Sequence, residues 1–128
     1  MAANIAMMKV AFYGLAILGL ASLGNASPAA AQTRYDGAWS VVIITDAGSC
    51  DRAYRYGLRI ERGRILYDGG GVDVRGRVTN SGSVSVTLRQ GDSYAVGSGR
   101  LTRNTGSGRW RGASQNNRCS GHWQAQRQ

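Results

Sequence analysis

Fifteen arginines stand against seven acids and one histidine in this 128-residue chain, and a single lysine, Lys9, completes the basic set. A guanidinium is planar, permanently charged and forked, so it matches phosphate, sulfate and carboxylate oxygens. That is chemistry for binding rather than turnover. The acids Asp36, Asp46, Asp51, Glu61, Asp68, Asp73 and Asp92 occur singly in turn-like contexts, and no spacing pairs two of them as a general acid and base. His122 has no second histidine to share a metal, and structural zinc takes four ligands. Iron ligation through Tyr54, Tyr56 or His122 has only the ligating ability of those side chains behind it. The residue set points away from an enzyme and toward no cofactor or metal.

The segment that precedes the arginines has a different character. Lys9 is followed by an acid-free apolar run, Val10–Leu23, and then by small residues that include Ala29 and Ala31. A basic start, a short apolar run and an A-x-A site form the pattern of a secretory signal peptide. Residues 1–31 are expected to be that peptide, leaving a 97-residue domain, 32–128, without a transmembrane segment, in the periplasm or outside the cell. Its formal charge is +8 once Lys9 is removed. Cys50 and Cys119 are the only cysteines, and in an oxidising compartment two cysteines are expected to form one disulfide. Closing so long a loop contributes about 4 kcal/mol in the chain-entropy account, comparable to the whole margin of a small domain.

Through residues 32–128 the apolar pattern has a period of two. "WSVVIIT", "YRYGLRI", "RILY", "VDVRGRV", "SVSVTL", "YAVGSGRL", "SGRWRG" and "CSGHWQAQ" alternate apolar and polar residues, and turn-forming stretches such as "ERGR", "TNSGS" and "RQGDS" separate them. Eight strands and no helix are expected, in an antiparallel meander. Such a sheet leaves two unpaired edges unless it closes, so a small eight-stranded barrel with strand one beside strand eight is the expected fold.

Alternation then sorts the side chains. The inward set runs from Trp39, Val41 and Ile43 through Tyr54, Tyr56, Leu58, Ile60, Ile65, Tyr67, Val72, Val74, Val78, Val84, Val86 and Leu88. It continues with Ala95, Gly97, Gly99, Leu101, Gly108, Trp110, Gly112, Cys119, Gly121, Trp123 and Ala125. Inward glycines on three successive strands leave room for Trp39, Trp110 and Trp123, so an interior filled by side chains is expected rather than a ligand cavity.

"DGAWSVVI", with Gly37 and Trp39 at the start of strand one, and "WQAQR", with Arg127 at the end of strand eight, resemble the opening and closing elements of the calycin barrels. That resemblance implies a tryptophan and a terminal-strand basic residue capping one barrel end. "GAWSVVIITDAGSCD" is similar to the first strand and Cys-Asp pair of small bacterial metalloprotease inhibitors, although here the second cysteine lies in the last strand. The chain also resembles small uncharacterised exported proteins of rhizobia, which imply no activity.

The outward set includes Arg55, Arg59, Arg75, Arg77, Arg89, Arg100, Arg109 and Arg111, on neighbouring strands of the meander. Arg34, Arg62, Arg103 and Arg118 fall outside that strand-borne set. If the eight form one band, the surface suits a polyanion such as lipopolysaccharide or acidic polysaccharide. Nucleic acid is disfavoured, since only Tyr94 interleaves an aromatic ring on that face. The competing reading is an inhibitor that presents the loop Asp46 to Arg52 or Arg103 to Ser107 to a hydrolase. Carriage of a small apolar ligand would need an open barrel mouth. The chain is expected to be a monomer whose partner is an anionic polymer or a protein.

Overall fold

Alternating side chains give each strand an apolar and a polar face, and in the computed structural model these become the inside and outside of a barrel. The structure describes residues 33–128 together with Gly19 and Gly24; the rest of the expected signal peptide, residues 1–31, lies outside the described residues. The strands are β1 (Gly37–Ala47), β2 (Ala53–Glu61), β3 (Arg64–Leu66), β4 (Asp73–Val78), β5 (Ser83–Gln90), β6 (Ser93–Leu101), β7 (Thr105–Ser114) and β8 (Asn117–Arg127). Each pairs antiparallel with the next, β8 returns to β1, and the eight-stranded barrel is closed. There is no helix among the described residues.

The seam between β1 and β8 runs from Trp39 opposite Arg127 to Ala47 opposite Ser120, with an irregularity between Thr45 and Ala47. A disulfide joins Cys50, just past β1, to Cys119 in β8, with their Cα atoms 6.1 Å apart. Such a bond fits an oxidising environment. The two ends of the wall are thus held by a ladder and a covalent link.

One end of the barrel is packed shut. Tyr35, Trp39, Ile60, Ile65, Val78, Val84, Leu101, Trp123 and Ala125 are buried together there, and Trp39 is only 2% exposed. The Trp39 indole donates to the Tyr35 carbonyl at 2.8 Å, and the Arg127 guanidinium lies over its ring, 4.8 Å from the centroid. Arg127 also donates to the carbonyls of Asp36, at 2.7 Å, of Arg103, at 2.8 Å, and of Arg34. One side chain therefore ties the N-terminal turn, the β6–β7 turn and the last strand together. Gly37 sits where this happens: its φ of +128° and the 3.3 Å between a hypothetical Cβ and the Arg127 guanidinium both favour glycine.

Asp36 completes the plug. Its carboxylate accepts from the Thr33 hydroxyl at 2.6 Å and from the backbone N–H groups of Arg62, at 2.7 Å, and Gly63, at 3.3 Å. Burial alone would raise its pKa, but these hydrogen bonds to the charged form outweigh that effect and hold it below the ordinary 3.8.

The other two indoles lie flat along the wall. Trp123 of β8 crosses Gly108 of β7 and donates to the Ser98 carbonyl of β6 at 3.1 Å. Trp110 of β7 crosses Gly121 of β8 and donates to the Ile44 carbonyl of β1 at 2.9 Å. A Cβ on Gly108 would come within 2.5 Å of Trp123, and one on Gly121 within 2.9 Å of Trp110, so the inward glycines do leave room for indoles.

Two measurements check this end of the molecule. Trp39→Ala should lower the unfolding free energy by about 3–5 kcal/mol in a denaturant titration, as loss of a fully packed indole does. Asp36 binds its proton more weakly folded than unfolded, so its contribution is present at neutral pH and is lost as the pH falls below about 4 through its folded-state pKa. Asp36→Asn should therefore melt lower than the parent at pH 7, with the gap narrowing as the pH falls below 4.

Candidate ligand site in the barrel

Above the plug, the interior is hollow. A cavity of about 500 Å³ opens at the end of the barrel opposite Trp39 and Arg127. Its floor is made by Trp39, Ile60, Val84, Leu101 and Trp123, and its wall by Val41, Ile43, Tyr56, Val74, Val86, Leu88, Ala95 and Trp110. This corrects the expectation of a filled interior. The reason is geometric: Trp110 and Trp123 are drawn sideways onto the wall by their bonds to strand carbonyls, so neither reaches into the middle. Higher up, the row Leu88, Ala95, Gly112 and Cys119 presents small residues on three adjacent strands. Nothing large remains to occupy the axis.

The rim is polar and tied down. Ser49, Asp51, Gln90, Ser93, Ser114 and Asn117 contribute to it, with Tyr54 and Tyr94, the exposed large apolar side chains among the described residues. The Ser49 hydroxyl donates to Asn117 at 2.9 Å, the Ser93 hydroxyl to that of Ser114 at 2.8 Å, and the Thr45 hydroxyl to the Asp51 carbonyl at 2.6 Å. With the disulfide beside them, these bonds hold the mouth open.

The wall is incomplete on one side. Pairing between β2 and β3 covers only Arg59–Glu61, and pairing between β3 and β4 stops at Ile65 opposite Gly76. The chain from Tyr67 to Val72 leaves the ladder, so Ala53–Leu58 of β2 has no strand on that flank. Aromatic rings stand there instead. Tyr54 and Tyr56 stack with centroids 6.1 Å apart, and Tyr67 meets Tyr56 edge-on at 5.8 Å. Burial raises the pKa of both Tyr54 and Tyr56, with the Asp51 carboxylate adding to the first and Tyr67 to the second.

The eight wall arginines all lie on exposed positions, but the register does not gather them into one band. A row around the barrel reads Arg64, Arg77, Ser85, Ser98, Arg109 and His122, and the next reads Arg75, Thr87, Val96, Arg111 and Ser120. Arg75 and Arg77 are therefore three strand spacings, about 14 Å, from Arg109 and Arg111, with Ser, Thr and Val between. Several are also engaged. Arg59 pairs with Glu61 at 3.1 Å and Asp68 at 3.4 Å, Arg75 with Asp73 at 3.4 Å, Arg55 donates to the Ser40 hydroxyl, and Arg100 donates to the Ser81 carbonyl. Arg89 lies at the mouth, beside Tyr94 and Asp73. His122 is on the outside, 2.7 Å from Asp46. No group of three or more His, Cys, Asp or Glu side chains that could hold a metal occurs among the described residues.

The cavity residues belong to the inward set that alternation identifies, yet alternation cannot reveal the space between them. Volume depends on register and on side-chain direction. No known protein family matches the chain, and neither a characterised protein nor a solved structure is detectably similar to it.

The tyrosine flank gives a spectroscopic check. A folded-state pKa above the ordinary 10.0 means that folding is favoured below pH 10 and loses that support as the pH rises through the raised value. Tyr56→Phe should flatten the alkaline fall in stability above pH 10 and remove part of the 295 nm tyrosine titration that lies above pH 10.

Proposed function

We propose that this protein is a non-enzymatic exported binder, periplasmic or secreted, that takes a small apolar ligand into its barrel. The observation that carries the reading is the cavity of about 500 Å³, within the usual range for small-molecule sites and lined mainly by apolar and aromatic side chains beneath a polar rim. The closed end supplies a rigid floor, and the disulfide and rim hydrogen bonds keep the mouth formed without a ligand. A preformed site loses little freedom on binding.

A second reading, binding of polyanions through surface arginine, is supported by the pairing of Arg64 directly opposite Arg77. Like charges in that relation repel, and an anion between them relieves the repulsion. The division of the wall arginines into two groups makes this a reading about local anion contacts rather than a continuous track.

The ligand reading is tested with N-phenyl-1-naphthylamine, a neutral apolar fluorophore. The parent should enhance its emission with 1:1 stoichiometry, and the emission of Trp110 and Trp123 should fall as the dye binds beside them. Ala95→Phe, which places a ring in the upper cavity, should weaken binding at least tenfold while keeping the melting temperature within a few degrees. No enhancement by the parent, or equal binding by the variant, would contradict a ligand site in the barrel.

A further inference from the structure

The two ends of the barrel differ in charge as well as in openness. The mouth-side strand ends and loops carry Asp46, Asp51, Asp73 and Asp92 together with Arg52, Arg89 and Arg118, so acids and bases are nearly balanced there. At the closed end stand Arg34, Arg62, Arg64, Arg100 and Arg103, all exposed. The fold brings them together. Arg127 bonds to the carbonyls of both Arg34 and Arg103, Asp36 accepts the N–H of Arg62, and Arg100 reaches the β4–β5 turn at Ser81. Arg34, Arg62 and Arg103 are far apart in sequence, yet all three belong to the ring of backbone around one plug.

The acids at this end do not neutralise them. Asp36 is committed to Thr33 and to two backbone N–H groups, while Glu61, although directly opposite Arg64, and Asp68 both pair with Arg59. Arg64 has no ion-pair partner among the described residues and faces Arg77 across the β3–β4 ladder. Such a like-charged cross-strand pair is costly unless an anion sits against it.

We propose that the closed end of the barrel is a docking face for an anionic lipid surface, with the open mouth directed away from it. This goes beyond the ligand reading and, for its chemistry, rests on the arginine reading above, moved to another face. Two observations favour a bilayer over a threaded polymer. The cations sit on turns and strand ends around a barrel end, which suits a plane, whereas a polymer chain is best held in a groove. In addition, the described domain begins at this end, at Thr33, and the apolar run Val10–Leu23 lies just upstream in sequence. During export, while the apolar run is still attached, this barrel end is the one continuous with it in sequence. Phosphate oxygens match the guanidinium fork, and such attraction is strongest at low ionic strength.

The test is co-sedimentation of the disulfide-bonded 32–128 chain with vesicles of phosphatidylglycerol and phosphatidylcholine at 50 mM salt, with pure phosphatidylcholine and heparin-agarose as parallel arms. One variant combines Arg34→Gln, Arg62→Asn, Arg64→Gln and Arg103→Gln; asparagine is used at 62 because that residue has φ of +52°. A second variant, Arg52→Gln, Arg109→Gln, Arg111→Gln and Arg118→Gln, removes the same charge from the mouth side and wall. The parent should bind anionic vesicles and ignore neutral ones, the closed-end variant should lose at least tenfold, and the other variant less than threefold. If the closed-end variant melts low, Arg64→Gln with Arg103→Gln makes the same comparison against Arg109→Gln with Arg111→Gln. Equal losses in the two variants would overturn the proposal, as would absence of vesicle binding by the parent. Retention on heparin without vesicle binding would reject the lipid face and leave polysaccharide binding standing.

Discussion

The pairing of β1 with β8 is the constraint on which the rest of the molecule depends. It converts an eight-stranded meander with two edges into a wall without ends, and it brings together residues from the start and finish of the domain. Trp39 meets Arg127 at one end of that seam, and the Cys50–Cys119 bond sits at the other. Trp110 reinforces the same seam from inside through the Ile44 carbonyl. Cutting the seam would release the plug, the floor of the cavity and the geometry of the mouth together.

Closure also separates the two ends of the barrel into different environments. At one end Arg127, Asp36 and Trp39 consume the backbone groups and close the interior. At the other, neighbouring loops and strand ends are tied to each other around the rim, leaving the centre open. Tryptophans serve both ends. By lying across Gly108 and Gly121 they brace neighbouring strands while keeping the axis clear, which is how a small domain can have a firm wall and an open interior.

Much of this was legible in the sequence. Period-two alternation with turn residues between the runs marks all eight strands, and the inward set follows because side chains of a strand must alternate. Trp39, Gly37 and Arg127 could be placed at the closing end, and the two cysteines near the seam. The cavity could not be read, because Trp110 and Trp123 are inward by alternation whether they point to the axis or lie along the wall. Their direction is decided by carbonyls on other strands, Ile44 and Ser98. Charge was misleading for a related reason. Arg75, Arg77, Arg109 and Arg111 look like neighbours on an outer face, but the register puts β5 and β6 between the pairs. Arg34, Arg62 and Arg103 look scattered, and the plug assembles them.

A closed wall around an open apolar site can be seen directly. The most direct measurement is a crystal structure after diffusion of a bromonaphthalene into the lattice, read by the anomalous signal of bromine. A bromine peak is expected inside the barrel above Trp123, between Tyr56 on one flank and Ala95 and Trp110 on the other, with the strands unmoved. An interior filled by inward-turned Trp110 and Tyr56 side chains, with bromine only on the outer surface, would contradict it.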